Sequence, residues 1–492
     1  MRAEPVAERE AAKTLGGVLR GLGYSEEAVV DLLGDEAYGA DRKEAPAAER
    51  RLPATPLGTA IRALFLQLPV GAAEAREAFG RKGLDALEAT GLASVGGELE
   101  PGARVLPVGT LLVAADGDPD ADGDDPPDYV APYTPTSRTC DFLTPRRHFD
   151  RALDVGTGSG VQALLAARHA RQVVATDVNE RALAFGRLNA ELNDLPNVDF
   201  RTGSLFEPVA GETFDLITCN APFVISPENQ FVYRDSGFEA DGVTERVVRA
   251  AGAHLAEDGF ATLLGSWLGH DEETADDRPL AWSEGLGCDR WLISFRMVDP
   301  LDHAAAWNAP IAGDAKRFGE ALDRWLEYFE RLDAHLVSEG AILLHRRDAQ
   351  EHTLRIDEVD ENALDDAGDQ IERAFASRVR LARLERPREL LETTLAFAMP
   401  LGFERELAPK QNGETVVVDA TISLQEGTSD VLEAAPEVLD AIASLDGRRT
   451  LGRAIDKTAA RLRLGERETA RLRRSTVRLA RELLELGALR FS

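Results

Sequence analysis

Two short segments carry residue types spaced for chemistry. The first, Leu153-Asp154-Val155-Gly156-Thr157-Gly158-Ser159-Gly160, ends an apolar run and opens a helix-like one. Glycines at 156, 158 and 160 let the backbone turn sharply and approach a ligand closely. Asp154 precedes the glycines, and Asp177 closes the next apolar run, Val173-Val-Ala-Thr-Asp177, where a carboxylate can accept from both ribose hydroxyls. No Gly-Lys-Ser/Thr phosphate clamp follows, which disfavours a triphosphate. S-adenosylmethionine, with a ribose, an ammonium, a carboxylate, a cationic sulfonium and no phosphate, suits such acidic surroundings. Asp177 lies 21 residues after Gly156, a spacing that also fits the ribose-binding acid of a dinucleotide dehydrogenase, so the glycine loop alone does not decide the ligand.

The second segment, Asn220-Ala221-Pro222-Phe223, directly follows the strand-like Asp215-Leu-Ile-Thr-Cys219. Pro222 fixes its own φ and biases Ala221 towards an extended conformation, so a stiff corner is expected beside the glycine loop. The Asn220 side-chain oxygen and the Ala221 carbonyl can accept the two hydrogens of a planar amide or exocyclic amine. Accepting both aims the nitrogen and favours the positive charge it gains when it is alkylated. Phe223 offers a flat face for a planar acceptor group. A lone Asn-x-Pro is otherwise a common turn, and its place after a full glycine motif is what lifts it above that. Tyr233-Arg234-Asp235-Ser236-Gly237 reads either as a lid beside the target or as a surface loop.

Together these motifs resemble the class I S-adenosylmethionine-dependent methyltransferases over about residues 130–345. Within that class they are similar to the small-domain amino-methyltransferases whose target loop reads Asn/Asp-Pro-Pro-Tyr/Phe. The resemblance implies that Asp154 sits near the methionine end of the cofactor, lined by Gly156, Thr157, Gly158 and Gly160, and that Asp177 holds the ribose. The family often has an acid after the third strand to meet the adenine amino group; here Gly203-Ser204-Leu205-Phe206 offers the Ser204 hydroxyl or the Leu205 N–H. Ala221 stands where the family has its first proline, which keeps the carbonyl and loses some stiffness. Enzymes of this kind act on glutamine amides of proteins, on adenine N6 in DNA or on guanine N2 in RNA.

The elements that must position these segments follow from the pattern. From about residue 150, apolar strand-like runs alternate with helical ones: 152–155, 161–170, 173–176, 180–193, 198–201, 214–219, 250–255, 260–264, 291–298 and 341–345. Such alternation predicts an α/β fold, a Rossmann-like parallel sheet covered on both faces. Helical, winged-helix-like domains are expected on either side. Residues 1–50 read as helices broken at Gly21, Gly23 and Gly34. Three short helices between 57 and 90 lead into a hairpin at Gly96-Gly97. Residues 430–492 repeat that theme, with Glu485-Leu-Gly-Ala-Leu489 echoing Glu88-Ala-Thr-Gly-Leu92, and Thr415–Leu424 reads as a strand. The expected division is an N-terminal domain over 1–113, an acidic linker over 114–130, a methyltransferase domain over 131–348 and a mixed C-terminal domain over 349–492. Asp118, Asp120, Asp122, Gly123 and Asp124 open like a calcium loop, but Tyr129 stands where a bidentate Glu is needed and Pro126-Pro127 interrupts it, so a solvated linker is expected.

Composition bounds the rest. The 492 residues suffice for two to four domains, and 44% hydrophobic residues fit globular protein. No stretch has the length and apolarity of a bilayer span, and Met1–Lys13 is charged and Ala-rich, so a cytoplasmic protein without a membrane partner is expected. Cys140, Cys219 and Cys288 are far apart and odd in number, which argues for buried reduced thiols rather than disulfides or a thiolate metal site. The eight histidines are scattered, and neither a hydrolytic triad nor a metal site is read from their spacing.

The partner is expected to be a macromolecular substrate, protein or nucleic acid. Arg467, Arg471, Arg474, Arg478 and Arg481 form one stripe of a helix, which could lie along phosphates or simply be a solvated face. The net charge of −30 repels phosphate and favours a glutamine-type amide on a protein or peptide. The alternatives are a nucleic-acid base amine and, from another class, a non-catalytic binding protein that retains the nucleotide fold.

Overall fold

A computed structural model describes residues 2–38, 42–117, 126–220, 222–228, 238–384, 386–409 and 415–492. The chain divides into two compact units. The first comprises Met1–Cys140, His148–Gly287 and Ser294–Asp348, and the second Asp141–Arg147, Cys288–Ile293 and Ala349–Ser492.

The first unit is built on a sheet whose strands are β1 (Phe149–Val155), β2 (Ala170–Asp177), β3 (Val198–Thr202), β4 (Phe214–Cys219), β5 (Leu255–Gly269), the Ser294–Val298 end of β6 (Cys288–Val298) and β7 (Leu336–Arg346). Their spatial order is β3-β2-β1-β4-β5-β7-β6. β3, β2, β1, β4 and β5 run parallel, and β7 runs antiparallel to β5. The inner strands read Ala152-Leu-Asp-Val, Val173-Val-Ala-Thr and Leu216-Ile-Thr-Cys because both faces are covered and no solvent side calls for alternation. From β1 onward the helices of this unit are α1 (Val161–Ala167), α2 (Glu180–Leu192), α3 (Gly242–His254), α4 (Asp277–Ser283), α5 (Pro300–Trp307) and α6 (Ala315–Arg331). The Asn179 side chain starts α2 by accepting from the Arg181 N–H at 3.0 Å.

The alternating strands and helices expected from the sequence are thus present, with β5, β6 and β7 longer than their apolar cores suggested. Ahead of the sheet, helices Arg9–Gly21 and Glu26–Leu33 are separated where Gly21, Gly23 and Gly34 were read as breaks. Two of the three short helices expected between 57 and 90 are one element, Ala72–Ala89, bent at Gly80, whose φ of 63° only glycine adopts freely. The hairpin at Gly96-Gly97 forms between Ala93–Val95 and Glu98–Pro101.

A second antiparallel pair, unmarked by any local pattern, joins Arg104–Val108 with Leu111–Ala115 and is buried along its whole length. Its edge is satisfied by side chains of α2. Asn189 exchanges two hydrogen bonds with Ala114, each 2.8 Å, and Asn193 caps the α2 C-terminus while exchanging two with Leu112 at 2.9 and 2.7 Å. Two asparagines one helical turn apart thereby imitate a neighbouring strand.

This corrects the reading of residue 114 onward as a solvated linker: Ala114 and Ala115 end a strand. Asp116 is 3% exposed and is bound by Arg181 at 2.5 Å and by Arg2 at 3.2 Å. Asp118–Asp124, the stretch resembling a calcium loop, lies outside the described residues.

In the second unit, the strand Leu354–Glu358 lies beside Cys288–Ile293, with the Arg290 N–H donating to the Thr353 carbonyl at 2.8 Å. Arg378 on the helix Gly368–Ala382 is buried with its guanidinium 4.0 Å from the Trp291 ring centre, and burial lowers its pKa to about 9. Thr415–Leu424 is a strand as expected, paired with Leu401–Pro409 and Val431–Glu433. Helices Pro436–Ala443, Leu451–Leu462 and Glu466–Glu485 follow. On the last, Leu472, Leu479 and Leu483 are buried, and the five arginines of the basic stripe are all exposed, Arg481 pairing with Glu485 at 2.8 Å. The three cysteines are buried and not joined in disulfides. Among the described residues, no helix is long and apolar enough to cross a membrane.

Candidate active site

Strand order decides where a ligand can lie. From β1 the chain builds outward through β2 to β3, then returns to place β4 on the other side of β1. The crevice at such a reversal, beyond the carboxyl ends of the strands, is where open α/β sheets bind ligands. β1 and β4 are in parallel register, Asp154 opposite Thr218 and Val155 opposite Cys219. Gly156 and Asn220 therefore leave neighbouring strands, about 4.8 Å apart, at one level of the crevice.

The glycine loop has φ values of 68° at Gly156, 54° at Gly158 and 90° at Gly160, all in the left-handed region. A Cβ at Gly160 would meet the Gly186 Cα at 3.1 Å, so that glycine allows α2 to pack against the loop. A Cβ at Gly158 would meet nothing within 4 Å: the loop faces open space there. One main-chain and one side-chain bond hold it, with Thr157 N–H donating to the Thr176 carbonyl at 2.9 Å, and Asn189 Nδ2 to the Ser159 carbonyl at 2.8 Å.

Asp154 is 1% exposed. One of its oxygens accepts from Thr157 Oγ1 at 2.6 Å and from the Ala163 N–H at 3.1 Å, and the other from Thr218 Oγ1 at 2.9 Å. Burial nevertheless pushes its pKa up to about 6, with the charge of Asp177 adding to the rise. Asp154 thus clamps the loop and contributes charge rather than presenting a free carboxylate. Asp177 is half-buried, and desolvation by that burial raises its pKa; its oxygens accept from the Gly158 and Asn179 N–H groups, each at 2.8 Å, and keep lone pairs for further donors.

After β3, Leu205 has a φ of 47°, unusual for a residue with a Cβ, and its carbonyl accepts from Thr176 Oγ1 at 3.0 Å. Ser204 and Leu205 are half-buried beside the end of β2, where the Gly203 N–H donates to the Asp177 carbonyl at 3.0 Å.

Asn220, Pro222 and Phe223 are half-buried. Ala221 lies outside the described residues, as do Tyr233–Gly237, the segment read as a lid or surface loop. Beyond Phe223 the loop is anchored. Ser266 Oγ donates to the Phe223 carbonyl, and His303 Nε2 lies 3.1 Å from the Ile225 carbonyl. Burial lowers the His303 pKa to about 4, so the ring is neutral and its Nε2 carries the donated proton. Val224 and Ile225 pack into a cluster with Leu268, Ala304, Trp325, Phe329, Ala334 and Val337. Thr218, Ser266 and His303 lie outside the motifs legible in the sequence. Ser266 was signalled by a polar residue inside the apolar run 260–268, whereas nothing local marks His303.

These surroundings suit a ligand with hydroxyls and cationic groups and no phosphate. Two acids face or underlie the loop, the space over Gly158 is open, and Asp177 can still accept.

Residues 141–266 match the family described as the methyltransferase small domain, and residues 21–105 match one described as a domain of unknown function. Over 148 residues the chain is 36% identical to the release factor glutamine methyltransferase of Xylella fastidiosa, covering 28% of this chain and 52% of that protein. It is 33% identical over 147 residues to the ribosomal protein uL3 glutamine methyltransferase of Bordetella pertussis, covering 27% and 49%. The chain thus spans about half the length of these curated relatives. A crystal structure of a methyltransferase from Pyrococcus furiosus is similar with a TM-score of 0.30 and 20% identity, over 48% of this chain and 89% of that one. The region matched by the family model is a class I methyltransferase domain of the kind that uses S-adenosylmethionine.

Proposed function

We propose that this chain is an S-adenosylmethionine-dependent methyltransferase that methylates the side-chain amide nitrogen of a glutamine in a protein. The observation that carries the reading is the parallel register of Val155 with Cys219, which brings the glycine loop and Asn220 out at one level of the switch-point crevice. The relatives, glutamine methyltransferases of a release factor and of a ribosomal protein, support the choice of target.

In this reading Gly156, Thr157, Gly158 and Gly160 line the methionine end of the cofactor, with Asp154 beneath them as the clamp of the loop. Asp177 accepts from the ribose, and Ser204 and the Leu205 N–H meet the adenine edge. When bound, S-adenosylmethionine supplies an electrophilic methyl group on a sulfonium. The Asn220 side-chain oxygen and the Ala221 carbonyl accept the two amide hydrogens and hold the nitrogen in line with that methyl. Pro222 stiffens the corner, and the Phe223 ring flanks the planar amide. As the new N–C bond forms, the methyl–sulfur bond would break and leave a neutral thioether, while the same two acceptors favour the charge on nitrogen, whose surplus proton then leaves to water. No side-chain base is required.

Transfer of labelled methyl from S-adenosylmethionine into cell extract, divided between protease and nuclease treatment, tests the reading. Label released by protease and mapped to a methylated glutamine supports it; label lost only to nuclease overturns it in favour of a base amine. Absence of S-adenosylmethionine binding at millimolar concentration points instead to a non-catalytic protein.

A further inference from the structure

His270 and His335 are 65 residues apart in sequence and carry no recognisable ligand spacing, yet the fold makes them neighbours. β5 and β7 are antiparallel, with Gly269 opposite Leu336, and the His335 N–H donates to the Gly269 carbonyl at 3.0 Å. His270 and His335 thus continue the ladder as a cross-strand pair, and their rings lie 5.8 Å apart between centres. Asp333 joins them: its φ of 52°, a left-handed value that Asp tolerates better than most residues, accompanies a carboxylate 3.6 Å from His335 Nε2. One ligand atom from each of His270, Asp333 and His335 lies within 4.8 Å of the others, and all three side chains are exposed.

We propose that His270, Asp333 and His335 form a binding site for a divalent transition-metal ion of the zinc or cobalt type. Two imidazoles and one carboxylate are the donors such ions favour, whereas calcium and magnesium prefer all-oxygen shells. Metal–ligand distances of about 2.0–2.2 Å place donors roughly 3–3.5 Å from one another. Rotation of exposed side chains closes the remaining gap, while the backbone hydrogen bonds fix the spacing of their Cα atoms. Three protein ligands leave the last positions to water.

The site is separate from the crevice. His270 lies seven residues beyond Leu263, which pairs with Cys219, about 23 Å along the strand direction. An ion there ties the end of β5 to the start of β7. Leu268, Ala334 and Val337, close to those ends, pack on Val224 and Ile225, so the ion would also stiffen the wall behind the target loop.

The test is titration of Zn2+ and of Co2+ alone into the chelator-stripped full chain, without an affinity tag, followed by calorimetry and by cobalt absorption. One equivalent should bind, with at least about tenfold weaker binding in H270A and in H335A and a measurable weakening in D333N. All three positions are exposed, so the variants should melt at the wild-type temperature in the absence of metal. The proposal is overturned if wild type binds neither ion below about 0.1 mM. It is also overturned if the H270A/H335A double variant, or D333N, binds as wild type does.

Discussion

The hydroxyl of buried Ser266 donates to the main-chain carbonyl of Phe223, so a strand of the sheet fixes the far end of the target loop. Ser266 sits on β5, next but one to β1, and its own carbonyl accepts from Thr244 Oγ1 of α3 at 2.9 Å. Replacing it with alanine leaves a half-buried carbonyl without its donor, at a cost of about 1–3 kcal/mol. Ser266→Ala is expected to lower the melting temperature modestly, to reduce kcat and to leave the dissociation constant of S-adenosylmethionine unchanged. Melting, turnover and calorimetry on one preparation check it; a weakened cofactor affinity with normal kcat would contradict the positioning role.

Asn220→Ala removes one of the two acceptors for the amide hydrogens without touching the glycine loop. Methyl transfer should fall by at least about a hundredfold, in the range seen when one transition-state hydrogen-bonding group is removed. Cofactor affinity should stay within about twofold of wild type, since Asn220 is placed on the acceptor side. Unchanged turnover would remove Asn220 from the mechanism.

Gly158 and Gly160 predict opposite failures. A Cβ at position 158 projects into open space, whereas one at 160 meets the Gly186 backbone at 3.1 Å. Both have positive φ, so each alanine also carries about 1–2 kcal/mol of backbone strain. Gly158→Ala is therefore expected to fold and to lose cofactor affinity at least tenfold, by intruding on ligand space. Gly160→Ala is expected to lower stability more than Gly158→Ala does, because α2 must move. Denaturant melts paired with cofactor titrations separate the two; equal stability loss with equal affinity would refute the assignment of the open face.

The Asp154 carboxyl, raised by burial to about 6, holds a proton between pH 4 and 6 that an unfolded aspartate has already lost. The folded state binds more protons in that window, so this group makes stability fall as pH rises from about 4 to 6 and adds no further change above it. A cationic ligand favours the ionised form, so affinity for S-adenosylmethionine should rise through pH 6 and level off above about 7. Asp154→Asn should abolish that dependence. Calorimetric titrations between pH 5 and 8 on both proteins provide the check, and a flat wild-type profile would show that Asp154 is ionised throughout.

The features legible in the chain alone are local and periodic. The glycines at 156, 158 and 160 announce positive φ, the apolar runs with their helical partners announce a parallel sheet, and the Asn-x-Pro corner after Cys219 announces a stiff loop at a strand end. Each signal is written in adjacent residues, because φ preference and side-chain periodicity are properties of the chain a few residues at a time. Which strand ends meet is set by the packed fold. The register of Val155 with Cys219 is set by packing over the whole sheet and cannot be read from either segment. Asn189 and Asn193 look like ordinary helix-surface residues until a strand at 111–115 lies beside them, and Asp116 looks like the start of an acidic linker until Arg181 and Arg2 reach it. His303 and Ser266, and the pair His270 and His335, likewise become neighbours of their partners only when segments distant in sequence pack together. A contact across 65 residues is chosen by the global packing minimum, not by local preference.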